Sequence, residues 1–536
     1  MARSADFDLR QALAKPGFTP GQRDIPALLD LVATDEAPAK AAPALASLGA
    51  AATTALITRI GEATDEGALA KLLSVLGLRA READSAARAE LIARVGDARV
   101  RVRRAAIVAL GKLGAVRERD ATDDLDDARA ALLARWDAGD APPEEQRSLA
   151  EALGKLGGEG ARERLAKIDA SADRELARRR DRAVLMSDRE AQRGEESSIA
   201  TDRAPAQPLR VRLSCRAGVA ELLAEEVAKT GQKGLLVRDD SVDITLAAPW
   251  SSLYALRLWI TAAIRIDVPA LRAAKTKEKQ HAAIVAAILA QRPLLTAWTR
   301  GPIRWRLQMA AGHQRGVVWN VARDVTTAAP EMINDPTQTT WDIRVDADEG
   351  TLELLPRRAD DPRFTYRVDD VPAASHPTIA AALVWASSPK ATDRVWDPFC
   401  GAGGELIERA MRAPAASITG SDIDPDALAA ARANIDAAKL AIDLHRADAR
   451  DDGPQVDAII TNPPLGSRVH VDAGALLCEC LPRFASRLTR GGRLVWITPQ
   501  SRRTSPVAEG LGLVLGRSLP VDLGGIRGRL ERWNKH

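Results

Sequence analysis

Apolar residues recur every three to four positions through roughly the first 170 residues, the spacing that lines one face of a helix, and almost no stretch there alternates as a strand does. A Leu-x-x-Leu-Gly pattern returns at Leu45-Leu48-Gly49, Leu73-Leu76-Gly77, Leu110-Leu113-Gly114 and Leu153-Leu156-Gly157, the last two inside the longer string Ala-Leu-Gly-Lys-Leu-Gly. The later intervals approach the period of helical-hairpin repeats, which predicts an all-α scaffold of stacked helix pairs, with an alanine-rich bundle as the alternative. From Asp173 to Arg203 charge is too dense to bury much apolar surface, so a solvated helix and then a linker near Glu195 to Ala206 are expected. Beyond it the period shortens to two. Leu209 to Ser214 alternates as a strand, Val219 to Lys229 is an amphipathic helix, Gly234-Leu-Leu-Val and Val242 to Leu246 are strands, Trp250 to Trp259 is helical, and Ile264 to Val268 is a strand. That βαββαβ order is the ferredoxin-like arrangement. A further αβ stretch holds a helix from Glu278 to Gln291 and strands at Ile303 to Leu307, Trp341 to Val345 and Thr351 to Leu355, ending near Phe364 to Arg367.

The last third alternates strands with helices, the pattern of a Rossmann-like, mostly parallel sheet whose ligands sit at the carboxyl ends of the strands. After a helix from about His376 to Ser387, Arg394-Val-Trp-Asp397 runs into Pro398-Phe-Cys-Gly401-Ala-Gly403-Gly404, and Glu405 opens a helix. Glycines there let backbone approach a ligand, and a helix start offers unpaired N–H groups. Ala416 to Asp422 is a short strand ending in an acid roughly 20 residues past the glycine turn, the spacing of a carboxylate that holds ribose hydroxyls. Asp424, before Pro425, reads as a helix cap. Asp448 closes a third strand-like run, and Val456 to Thr461 is a fourth that ends in Asn462-Pro463-Pro464-Leu465-Gly466. A helix from Ala473 to Leu488, a strand from Arg493 to Ile497, and two final strands, near Leu511 and from Gly528 to Trp533, complete the sheet.

These residues resemble class I S-adenosylmethionine-dependent methyltransferases. Asp397-Pro-Phe-Cys-Gly-Ala-Gly is similar to their cofactor motif, Asp422-Ile423-Asp-Pro to their ribose-binding acid, and Asn462-Pro-Pro-Leu to the tetrapeptide of enzymes that methylate exocyclic amines. Within that class the motifs are most similar to the THUMP-containing guanine-N2 RNA methyltransferases, which modify rRNA or tRNA. The first third lies outside this likeness, and there Asp97 to Leu110 resembles the second-helix start of a HEAT repeat. Residues 1–190 are thus expected to form a HEAT-like helical region, 191–207 a charged linker, 208–372 a ferredoxin-like plus THUMP-like RNA-binding region, and 373–536 a methyltransferase domain. The resemblance implies S-adenosyl-L-methionine as cofactor, held by Asp397, Pro398, Gly401, Gly403, Asp422, Ile423, Asp448 and Asn462, with no metal. It places Asn462, Pro463, Pro464 and Leu465 around the target amine. This sequence departs from the family pattern at Ala402 and Gly404, where many members carry Ser and Thr, and at Leu465, which replaces an aromatic residue that stacks on the extruded base. His376-Pro377 stands where a basic-acidic pair is common.

The 536 residues allow two to four domains, and a net charge of +3 is too mild by itself to indicate nucleic acid. Local clustering changes that picture. Between residues 251 and 330 basic residues far outnumber acids, with Trp259, Trp298, Trp305 and Trp319 interleaved. Cations neutralise phosphates and indoles offer faces to unstacked bases, although Trp259 and Trp305 are expected in the core. Arg300, Arg304, Arg306, Arg315 and Arg468 are the expected RNA contacts, and the helical repeats are read as binding a protein or RNA partner. Cys215, Cys400, Cys478 and Cys480 make neither a disulfide framework nor a zinc site, which favours a reducing cytosol. No targeting segment is evident and the longest apolar run, Ala282 to Ala290, is too short to span a bilayer, so a cytoplasmic protein off the membrane is expected. Two other readings share parts of this pattern. A DNA adenine-N6 methyltransferase uses the same Asn-Pro-Pro logic, but only about 70 residues follow Gly466, and they are needed to finish the sheet. A catalytically weakened RNA-binding or scaffold protein would explain Ala402, Gly404 and Leu465.

Overall fold

A computed structural model describes residues 8–14, 18–34, 38–81, 84–115, 125–191, 195–232, 236–312, 314–372, 374–451, 453–464 and 472–536. The chain divides into two compact units, Met1–Glu196 with Ala322–Asp335, and Ser197–Val321 with Pro336–His536.

The first unit is largely helical. Helices Glu66–Ala80, Val100–Gly111, Pro143–Leu156 and Arg174–Ala191 pack in succession, each against the next. The recurring Leu-Gly positions explain the spacing. A Cβ on Gly77 would lie 2.8 Å from the Ala109 Cβ, one on Gly111 2.7 Å from Ala152, and one on Gly154 2.3 Å from the Ala183 Cβ. Glycine facing alanine lets successive backbones approach, while Leu72, Leu73, Leu76, Leu110, Leu149 and Leu153 fill the space between as fully buried residues. Arg103, from the helix start read as repeat-like, reaches the buried Glu145 at 2.7 Å, and Arg135 grips the same carboxylate at 2.6 Å.

In the second unit one sheet runs in the order Leu236–Val237, Ser241–Leu246, Leu209–Ser214, Thr261–Asp267, Thr351–Pro356, Trp341–Asp346, Ile303–Met309. The first four follow the second-third-first-fourth order of a split βαβ unit. Its second helix is a 3₁₀ segment over Trp250–Ala255, shorter than the helix expected to Trp259. Thr261–Asp267 pairs antiparallel with Thr351–Pro356, Ile264 opposite Leu354, so two stretches that read as separate modules share one sheet. Ser198–Ile199, inside the expected linker, pairs with Thr299–Arg300.

The last sheet has the order Asp443–Arg446, Ser417–Asp422, Arg394–Asp397, Val456–Thr461, Leu488–Thr498, Arg527–Lys535, Leu513–Asp522. In chain order that is 3-2-1-4-5-7-6, with Arg527–Lys535 alone running against its neighbours. Local signals set its helices. Asp424 caps Pro425–Ala437 by accepting from the Asp426 N–H, and Pro377 opens Pro377–Ala386. Trp396 packs edge-on against Phe484, ring centroids 5.8 Å apart. Asp393, 1% exposed, lies between Arg493 and Arg409 and ties the start of the first strand to the fifth strand and the helix Gly404–Arg412. Among the described residues no helix is long and apolar enough to cross a membrane.

The two sheets of this unit are joined by specific contacts. Arg257 donates from Nη2 to Glu408 Oε1 at 2.7 Å, and the Tyr366 hydroxyl donates to the same oxygen at 2.7 Å. Arg363 lies 3.4 Å over the Trp259 ring, and Glu225 accepts from Trp385 Nε1 and pairs with Arg517. Gly218, at φ 86°, approaches Pro520 so closely that a Cβ would come within 1.6 Å of its carbonyl oxygen.

Candidate active site

A cavity of about 600 Å³ opens at the carboxyl ends of strands Arg394–Asp397, Ser417–Asp422 and Val456–Thr461, the size of a small-molecule site. Its wall includes Pro398, Gly401, Asp422, Ile423, Asp448, Asn462, Pro463 and Pro464, eight of the positions singled out from sequence, brought together from four loops. Leu465 and Arg468 lie outside the described residues. Gly401, at φ 49°, has open space where a Cβ would project, so the turn leaves room for a ligand against its backbone. Its N–H donates to Asp422 Oδ2 at 2.9 Å, while Asp422 Oδ1 accepts from the Asp424 N–H at 3.0 Å. Asp422 therefore locks the glycine turn and keeps spare lone pairs for hydroxyl donors. Ile423, 60% exposed, puts an alkyl face on the wall.

Asp397 and Gly403 are not among the residues that line this cavity. Asp397 is fully buried behind the turn, its Oδ1 accepting from the Phe399 N–H at 3.0 Å and its Oδ2 without a partner. Burial pushes its carboxyl well above the usual carboxylate range, and the Glu405 charge pushes it further. Gly403, at φ 82°, is the N-cap of the helix Gly404–Arg412. Asp448 faces the cavity, but Arg450 holds both its oxygens and keeps the carboxyl below its ordinary value.

Asn462 is anchored on one side only. Its Nδ2 donates to Ser375 Oγ at 2.8 Å, and its Oδ1 is buried with no partner. Ser375 in turn donates to Glu405 Oε1. Burial raises the Glu405 carboxyl against the lowering effect of that hydrogen bond. Neither Ser375 nor Glu405 stood out in the sequence, and neither did Arg216, Leu523 and Ile526, which line the same cavity from distant parts of the chain. The one local clue was a carboxylate placed directly after a glycine turn. Glu405, Asp422 and Asp448 line this wall together with Arg216, Arg367 and Arg450.

The expected RNA contacts divide. Arg304 is fully buried, which removes it from any phosphate surface. Arg306 forms a two-pronged pair with Asp342 at 2.8 and 2.9 Å, and Arg300 pairs with Asp202 at 2.6 Å while staying half exposed. Arg315 is exposed at the start of the helix Arg315–Ala328. Arg257 and Arg265, part of the same basic cluster, are spent on Glu408 and on Glu349. Trp259, Trp298 and Trp305 are core residues.

The 3-2-1-4-5-7-6 order with a cavity at its strand ends is a methyltransferase-like fold. Residues 365–514 match the UPF0020 family model, described as RMKL-like, methyltransferase domain. The chain is 31% identical over 190 residues to a tRNA (guanine(10)-N2)-dimethyltransferase of Methanothermobacter thermautotrophicus, covering 34% of this chain and 54% of the relative. It is 35% identical over 113 residues to ribosomal RNA small subunit methyltransferase C of Pseudomonas paraeruginosa, 20% of this chain and 33% of that one. The chain thus spans about half the length of the first relative and a third of the second. The crystal structure of TrmN from Thermus thermophilus shares the fold, with a TM-score of 0.51 at 24% identity over 61% of this chain and 100% of that one.

Proposed function

We propose that the protein is an S-adenosylmethionine-dependent RNA methyltransferase that modifies the exocyclic N2 amine of a guanine in tRNA or rRNA. One observation carries this reading: the buried, unpartnered Oδ1 of Asn462 calls for a hydrogen-bond donor from whatever enters. A purine amino group supplies one and a ring carbon does not. S-adenosylmethionine supplies a methyl group on a positively charged sulfonium, which an in-line nucleophile displaces. Asn462 Oδ1 accepts one amine N–H and the Pro463 carbonyl the other, turning the nitrogen lone pair out of ring conjugation and towards the methyl group. The methylated amine is acidic enough to shed its proton to water, so a strong base is unnecessary. Asp422 holds ribose hydroxyls, Ile423 packs on the adenine and Asp448 faces its amino group.

The relatives that act on tRNA and rRNA support an RNA substrate. The basic residues left exposed, Lys275, Lys277, Lys279 and Arg315, are the phosphate contacts of a THUMP-like region, and the stacked helices of the first unit form a HEAT-like surface for a protein or RNA partner. The test is tritiated methyl transfer from S-adenosylmethionine by the full chain to total RNA and to DNA. RNA is expected to be labelled, nucleoside digests to contain N2-methylguanosine, and Asn462→Ala to lose about 100-fold or more in rate. Label in DNA, or on a ring carbon, overturns the assignment.

A further inference from the structure

Asn462 and Ser375 are 87 residues apart, yet the fold puts the serine hydroxyl in reach of the amide and of the buried Glu405 at once. A hydroxyl has one proton to give. Ser375 gives it to Glu405 Oε1, so towards Asn462 it can only accept, and Nδ2 is the only end of the amide able to donate. The amide is thereby held with Oδ1 as its unpartnered atom. Ser375 is itself fixed, because its carbonyl accepts from Arg367 Nη1 at 2.9 Å and Arg367 is tied to Asp370. Glu405 is fixed by its place in the first turn of Gly404–Arg412, 4% exposed.

We propose that Ser375 and Glu405 are positioning residues that set the amide of Asn462 with its oxygen towards the substrate, and so make the site selective for amine donors. The proposal rests on the amine-methylation reading above and adds the source of its selectivity. Without the tie an amide can present either end. Its NH2 end meets a target NH2 donor to donor, leaving both unsatisfied, whereas a site built around one required hydrogen bond discriminates strongly against groups that cannot make it. Neither side chain needs to touch the reacting atoms.

The experiment uses the full chain and three measurements: S-adenosylmethionine affinity by calorimetry, steady-state methyl transfer to total tRNA and rRNA, and solvent exchange of the Asn462 side-chain NH2 in selectively 15N-asparagine-labelled protein, assigned by its loss in Asn462→Asp. Ser375→Ala and Glu405→Leu are expected to lower kcat by about 10- to 100-fold, as loss of an outer orienting group does, with cofactor affinity in Ser375→Ala within threefold of wild type. Ser375→Thr and Glu405→Gln, which keep the hydroxyl and the acceptor oxygen, are expected to recover most of that loss, which a merely structural defect would not predict. The Asn462 NH2 is expected to be protected from exchange in wild type and exposed in Ser375→Ala. Transfer by Ser375→Ala within threefold of wild type, or a wild-type Asn462 NH2 that exchanges freely, overturns the positioning role. A wild type that binds S-adenosylmethionine and protects this NH2 but methylates no RNA overturns the functional reading and leaves the positioning role supported.

Discussion

Two groups of buried carboxyls around the last sheet answer to pH in opposite directions. Burial raises Asp397 and Glu405. A carboxyl whose folded value lies above its unfolded one supports folding below the unfolded value, and that support is lost as pH rises through the folded value. The cofactor-free protein is therefore expected to melt at lower temperature as pH rises above the ordinary carboxylate range, and Glu405→Gln to flatten that slope in calorimetric scans. Asp393 shows the reverse, because Arg493 and Arg409 hold it below its ordinary value despite burial. Its contribution is present above the unfolded value and lost as pH falls through the folded one. Asp393→Ala leaves two buried guanidinium groups without their carboxylate and is expected to cost about 3–5 kcal/mol in denaturant unfolding. Motif residues were legible because their partners are near in sequence or share a strand end: Asp422, Ile423 and Asn462 all reach the cavity. Asp397 sits in the right turn but behind it. The arginine cluster misled because the carboxylates that absorb it come from far along the chain, Glu408 lying 151 residues from Arg257 and Asp342 36 from Arg306.

At the scale of elements, close approach carries the helical unit. Gly154→Val is expected to force the Pro143–Leu156 and Arg174–Ala191 helices apart, since even a Cβ would lie 2.4 Å from the Ala183 Cα, and overpacking of this kind costs about 1–3 kcal/mol. Circular dichroism melting would show it, with Gly61→Ala as the control, because nothing lies within 4 Å of that position. Helices with local start signals were readable from sequence: Pro377–Ala386 and Pro425–Ala437 begin at the prolines that mark them. Strand partners were not. Nothing in Ile264 or Leu354 announces that they lie opposite each other, since alternation fixes which face a residue takes and leaves the neighbouring strand open. The third strand shows the same limit, ending at Arg446, two residues before the Asp448 at which the run was expected to close.

For the molecule as a whole the formal charge of +3 matters less than which cations remain free to meet phosphate. Replacing Lys275, Lys277 and Lys279 with glutamine is expected to raise the KM for RNA, leave kcat in place, and reduce the slope of log affinity against log salt by about 0.7–0.9 for each phosphate no longer neutralised. Filter binding across a salt series would show it. An unchanged slope would move the RNA path to another face. The close seat of Gly218 on Pro520 bears on a different property, the traffic of small molecules. The strand Leu513–Asp522, which holds Pro520, turns through Leu523 and Ile526 on the cavity wall, where Arg216, two residues past the strand Leu209–Ser214, also lies. The cavity thus has a lintel built from two distant stretches, and lengthening the Asp522 to Arg527 turn is expected to quicken exchange of spent cofactor while every strand-end interaction stays as it was. Where release of that by-product limits throughput, this turn is the place to engineer a faster enzyme.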